Sequence, residues 1–192
     1  MPILAAAILG GCAGADSDGS AQRIASSPTA PANVVTDTRP LVQVINDYRA
    51  SMGLAPVEVS PSLTLVAQKH VDDLERNSPA GGSCNLHSWS PHGPWEGCCY
   101  TADQSKAQCM LEKPREITQG AYASSGYEIA YSSPDVTTAS ALDGWKQSSP
   151  HLKVILNQDE WRRVQWRAVG AAMSGHYAVV WFAADPDPRA GS

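Results

Sequence analysis

From Leu41 onward the apolar positions fall into periodic runs. Leu41, Val44, Ile45, Tyr48 and Met52 recur at helical spacing, and Gly53 follows as a C-cap, which predicts a first helix. Leu54 to Val59 reads as an extended link containing Pro56. Ser60 then caps a second helix with Pro61 at its first position. Its apolar stripe is Leu63, Val66, Ala67, Val71 and Leu74, and His70 on that stripe reads as a packing histidine with one satisfied nitrogen. Gly126 to Tyr131 is a short apolar segment interrupted by Glu128. Pro134 to Ser148 carries Val136, Ala139, Leu142 and Trp145 and reads as a helix; Ser149-Pro150-His151 opens a shorter one through Leu152, Val154, Ile155 and Leu156. Two apolar runs close the pattern, Val169 to Ala172 and Met173 to Phe182. The second is rich in β-branched and aromatic residues, which suits a strand covered on both faces. Alternation sets His176 on one face with Ser174, Ala178, Val180 and Phe182, and Tyr177, Val179 and Trp181 on the other. A histidine within such a strand needs a partner, a water or a metal.

The ends of the chain lack this periodicity. Ile3 to Gly11 is apolar and rich in small residues, and Leu9-Gly10-Gly11-Cys12 looks like a bacterial lipobox. The apolar stretch is too short to span a membrane, and no lysine or arginine precedes it, so the true start is expected upstream. Residues 1–12 are therefore expected to be a signal peptide, with Cys12 becoming the lipidated amino terminus that anchors an exported protein to the membrane. Residues 13–39, mostly Ala, Ser, Asp, Gly, Pro and Thr, read as a disordered tether. Asp185-Pro186-Asp187-Pro188 cannot continue a strand, so 185–192 reads as a disordered tail and 40–184 as the domain.

Composition narrows the reading. A chain of 192 residues holds one sizeable domain with tails. A net charge of −5 and a pI near 5.4 give no electrostatic footprint for nucleic acid. Cys84, Cys98, Cys99 and Cys109 all fall in an irregular stretch rich in Gly, Pro and Ser, and in an exported protein they read as two disulfides. A bond between adjacent Cys98 and Cys99 would need a strained ring. Cys84 is then expected to pair with one of them and Cys109 with the other. A zinc site built on these cysteines is disfavoured, since no Cys-x-x-Cys pair is present.

Several segments carry a resemblance. Gly175-His176-Tyr177-Ala178-Val179-Val180-Trp181 is close to the signature strand Gly-His-Tyr-x-x-x-x-Trp of the CAP superfamily: the cysteine-rich secretory, antigen 5 and pathogenesis-related proteins. Asn46-Asp47-Tyr48-Arg49 with Gly53-Leu54-Ala55-Pro56 resembles the family's opening helix, and Ser60 to Gln68 its second. His87-Ser88 looks like the first ligand histidine, and Gly126-Tyr127-Glu128 like the Gly-x-Glu segment. Trp145 to His151 with Ile155-Leu156-Asn157 is similar to the bacterial form Trp-x-x-Ser-Pro-x-His-x-x-x-Ile-Leu. The resemblance runs from about Leu41 to Phe182.

What the resemblance implies is an α+β fold, a three-layer α-β-α sandwich with a groove at one end, here with a cysteine-rich insertion. It implies His87 and His176 as ligands for Zn²⁺ or another divalent ion, with Glu128 beside them as a carboxylate that orients a histidine. Ser148 stands where the family's second glutamate is usual, and His151 is a further candidate to line the groove. His92 competes with His87 for the first histidine's place. The function expected is an exported binding module, anchored in the bacterial cell envelope, for a sterol, a fatty acid, a peptide or an envelope component. The alternative is a metal-dependent, protease-like hydrolase with Glu128 as general base. A third reading makes the polar cluster purely structural.

Overall fold

The computed structural model describes residues 40–190; the lipobox, Cys12 and the tether lie outside the described residues. Helix α1 (Leu41–Ser51) and helix α2 (Pro61–Asn77) follow the two predicted stripes. Ser60 caps α2, its hydroxyl accepting from the Leu63 amide at 3.0 Å, with Pro61 at the first turn. Short helices α3 (Ala107–Leu111) and α4 (Lys113–Ile117) lie in the cysteine-rich insertion. Strand β1 (Tyr127–Ser132) is followed by α5 (Thr138–Gln147) and α6 (Ser149–Leu156). The chain then forms β2 (Ala168–Met173) and β3 (Tyr177–Ala183).

The three strands make an antiparallel sheet in the order β1-β3-β2. The central strand is β3, and its alternation builds the layers. Ala178, Val180 and Phe182 enter one core with Leu41, Ile45, Ile129, Trp145 and Ile155, under α1, α5 and α6. Val179, Trp181 and Ala183 enter a second core with Leu63, Val66, Ala67, Val71 and Leu74 of α2. Helices thus cover both faces of the sheet, as the sequence pattern required of a strand apolar on both sides. At Gly170 of β2 a Cβ would overlap the backbone of α2 at Leu63–Thr64, so helix and sheet pack at a distance only glycine allows.

Three boundaries differ from those expected. Helix α5 starts at Thr138, where Thr137 and Ser140 form a capping box, and not at Pro134. Residues 174–176 form the turn of the β2–β3 hairpin, closed by the Ser174 amide donating to the Tyr177 carbonyl at 2.8 Å, so the strand starts after His176. The segment after β3 is held rather than free. Asp187 is buried, and its carboxylate accepts from the Ser60 hydroxyl, from the Ser62 amide at 2.8 Å and from the Ser62 hydroxyl at 3.0 Å. An acidic group on the first turn of α2 meets orphan amides and the positive end of the helix, which offsets the entropy of ordering the segment.

Candidate functional site

Register and helical phase bring the polar groups together. On β1, Ile129 faces the α1/α5/α6 core while Ala130 faces α2, so Glu128 also points to the α2 side. On α2, His70 shares the buried stripe with Val66, Ala67, Val71 and Leu74 and meets Glu128 there. The His70 Nδ1 contacts Glu128 Oε1 in a short hydrogen bond, and His70 Nε2 donates to the Ser88 carbonyl at 3.0 Å. The other carboxylate oxygen, Oε2, lies 2.7 Å from His87 Nδ1. His70 is fully buried and stacks on Trp89, with ring centroids 4.2 Å apart and planes 7° from parallel.

The segment bearing His87 is tied to α2 and to the insertion. Asp73, one turn after His70, accepts from the Ser90 amide at 2.7 Å and from the Ser90 hydroxyl. Trp89 and Cys98 exchange both backbone hydrogen bonds at 2.8 Å. Disulfides join Cys84 to Cys99 and Cys98 to Cys109, one of the arrangements the sequence left open. From the opposite side α6 brings in His151, two residues inside its N-terminus, with its ring centroid 6.3 Å from that of His87.

Between these elements lies a cavity of about 350 Å³. His87, Glu128 and His151 form its polar side, with Gln104 and Glu160 also on the lining. Tyr100, Tyr127, Trp161, Met110, Leu111 and Val154 supply most of the apolar wall. Burial pushes the Glu128 carboxyl up, but the charge and hydrogen bond of His70 and the hydrogen bond of His87 outweigh it and hold it below the ordinary carboxylate range. The His151 imidazole is pushed down to about 4, first by burial and then by His87, against a smaller opposing pull from Glu128. His151 is therefore neutral near pH 7, and no hydrogen bond to a described residue occupies either of its nitrogens.

His87, Glu128 and His151 thus come together, and His176 does not join them. His176 is exposed and its Nδ1 pairs with Glu75 at 3.0 Å. The register explains the separation. Glu128 lies opposite Trp181, whereas His176 precedes the Tyr177–Ser132 pair, five residues away and roughly 16 Å along the strand. Ser148 joins α5 to α6 and does not line the cavity. His92 is exposed on the outer side of the insertion.

His70 is the site residue missed in the sequence. A fully buried imidazole has two nitrogens to satisfy, and a histidine on the apolar stripe of α2 was the available signal.

The donor set for a metal is correspondingly small. Among the described residues, no group of three or more His, Cys, Asp or Glu is arranged to hold an ion. The His87–His176 pair does not fit. His87 Nε2 and His151 offer two imidazole nitrogens at the cavity wall, with Glu128 fixing the His87 ring from behind.

The family model for the cysteine-rich secretory protein family, CAP, matches residues 42–179. No curated protein sequence matches the chain closely enough to count as a relative. Among solved structures, an extracellular SCP-domain protein of Bacillus anthracis is similar in fold, at TM-score 0.52 and 15% identity, over 76% of this chain. A cysteine-rich secretory protein of Staphylococcus aureus gives TM-score 0.49 at 15% identity over 76% of this chain. An outer surface protein of Borrelia burgdorferi gives 0.47 at 16% identity, over 74% of this chain and 88% of its own. The chain spans only 39% of the Bacillus protein and 37% of the Staphylococcus protein.

Proposed function

The chain belongs to the CAP family of cysteine-rich secretory proteins, and from that premise we propose that it is an exported binding module whose cavity takes a small, largely apolar ligand. The observation that carries this reading is the cavity itself. Its volume of about 350 Å³ is within the range of ligand sites, and its wall is aromatic and aliphatic with a few convergent polar groups. Two disulfides within the cavity-side insertion suit an oxidising, extracytoplasmic setting. Sterols, fatty acids, peptides and envelope components are the ligand classes to screen, by isothermal titration and by the fluorescence of Trp161 on the wall. Saturable binding to the wild type, weakened at least tenfold in Tyr127→Ala, is the expected result; no binding in any class would overturn the reading.

Metal binding is a separate part of the proposal. His87 and His151 would hold a divalent ion, which when bound would act as a Lewis acid at the cavity wall. Zinc titration should lose its signal in His87→Ala and in His151→Ala and keep it in His176→Ala. Retention in both cavity variants would exclude the pair. The hydrolase alternative has less support, because both Glu128 oxygens are engaged by imidazoles and the carboxylate is buried. Anchoring through Cys12 is proposed from the lipobox alone. Mass spectrometry of the purified protein should find acylation on that cysteine and lose it in Cys12→Ala.

A further inference from the structure

We propose that the cavity beside His87 and His151 selects a small organic cation bearing an alkylated ammonium group, rather than a carboxylate-bearing lipid. The inference rests on the cavity being a ligand site and specifies the chemistry it takes. Three aromatic rings, Tyr100, Tyr127 and Trp161, stand on one lining. Tyr127 and Trp161 form a corner, with centroids 4.9 Å apart and planes at 73°, so two ring walls meet nearly at right angles. Such a corner offers ring faces to a polyhedral cation from two directions at once, where the aromatic quadrupole attracts positive charge. Tyr100 is set in place by an edge contact with His87, at 5.2 Å and 65°.

The charges on the lining have one sign. Glu128 is buried and Glu160 exposed on the lining, while among the described residues no lysine or arginine lines the cavity. A fatty-acid carboxylate placed here would meet the exposed Glu160 and no lining cation, the Glu128 charge being already taken up by its imidazole partners, whereas an alkylammonium group meets π-faces and an acid. An alkylated ammonium also needs no hydrogen-bond acceptor of its own, which suits a wall whose carboxylate oxygens are already committed to His70 and His87. The same chemistry could reach the site as a free quaternary amine or as a choline headgroup. The lack of a lining cation for a phosphate favours the free amine.

The test uses the full chain with both disulfides formed and four probes at constant ionic strength: choline, its neutral isostere with a tert-butyl group in place of trimethylammonium, phosphocholine and laurate. Calorimetry should show choline bound on the order of tenfold more tightly than the isostere, the size expected of a partly desolvated cation–π contact. Phosphocholine should bind more weakly than choline; tighter binding would keep the cation chemistry and assign its source to a lipid headgroup. Trp161→Leu should erase the preference for the cation, and Trp161→Phe should retain most of it, which separates loss of the ring face from loss of the fold. Equal binding of choline and the isostere overturns the proposal. Laurate binding without choline binding also overturns it, yet leaves the binding-module reading standing, whereas silence from all four probes counts against both.

Discussion

At the scale of single residues, hydrogen-bond donors must be counted around His70. Its Nε2 faces the Ser88 carbonyl, which can only accept, so that nitrogen carries a hydrogen. Its Nδ1 faces a carboxylate oxygen, so one further proton lies in the His70–Glu128 contact. Replacement of Glu128 by alanine should leave two imidazoles facing an empty space and cost about 3 kcal/mol or more, the penalty of breaking a buried polar pair. Glu128→Gln is different. The amide can donate to His70 Nδ1 and accept from His87 Nδ1, so every group stays satisfied and the cost should be roughly 1 kcal/mol or less. Urea denaturation of the two variants checks this, and equal losses would show that the network does not carry the stability assigned to it. Trp89 and Trp181, packed around the same histidine, each bury an indole N–H with no partner among the described residues, so Trp181→Phe forfeits packing volume but none of the described hydrogen bonds.

Among the elements, the segments that resemble family motifs have structural reasons to be what they are. The Asn46 amide on α1 exchanges two hydrogen bonds of 2.9 Å with the Val57 backbone and so holds the extended link. Arg49 on the same helix is buried and donates to the Ile155 carbonyl, to the Ala55 carbonyl at 3.2 Å and to Asn157 Oδ1 at 2.8 Å. It closes the C-terminal end of α6, where carbonyls lack partners and positive charge is favoured. Since α6 carries His151 at its other end, Arg49→Met should cost about 2–4 kcal/mol, from charged hydrogen bonds lost and acceptors left buried. It should also weaken zinc or ligand binding while His87 keeps its contact with Glu128. Thermal melts and titrations on one preparation would show it; a variant as stable as wild type removes the role. The insertion behaves as another such unit. Cys98–Cys109 ties α3, which bears Ala107, Met110 and Leu111 on the cavity wall, to the strand-like pair at Trp89. Opening that 11-residue separation with the double change Cys98→Ser and Cys109→Ser should lower stability by about 2–4 kcal/mol on the loop-entropy scale. Ligand affinity should fall with it, because the wall is no longer held.

Helix phases, the two-faced strand and the disulfide alternatives were legible because each depends on local periodicity or on chain geometry. The partner of His87 was not. Tyr177 and Trp181 are separated by three residues, one fewer than in the motif that His176 was matched to, so the strand preserved the apolar signature while its histidine fell into the hairpin turn. His151 could be recognised as a candidate, but only the packing of α6 against the insertion places it beside His87. Asp187 was unreadable for a related reason: its prolines end a strand correctly, yet its value comes from a helix N-terminus more than a hundred residues away in sequence.

For the molecule as a whole, the shifted groups predict how stability follows pH. The His151 imidazole has an ordinary value of 6.5 and is pushed down to about 4 in the fold. Between those values the unfolded chain binds a proton that the folded chain refuses, so stability rises with pH across this window and falls as acid is added. Glu128 and Asp187 are held below their ordinary carboxylate values, so their contributions are present above that range and lost as pH falls through the folded values. All three act in the same direction. In chelator-treated buffer the melting temperature should decline gently as pH falls from 6.5 to 4. It should drop more steeply below that as the buried carboxylates take up protons. The His151 ring is partly exposed, so solvent screening makes the upper step smaller than its full shift would give. His151→Leu removes only that step, and its melting temperature should remain level down to about pH 5 before the carboxylates titrate. If wild type and variant decline in parallel from pH 7, the imidazole is not held neutral by the fold.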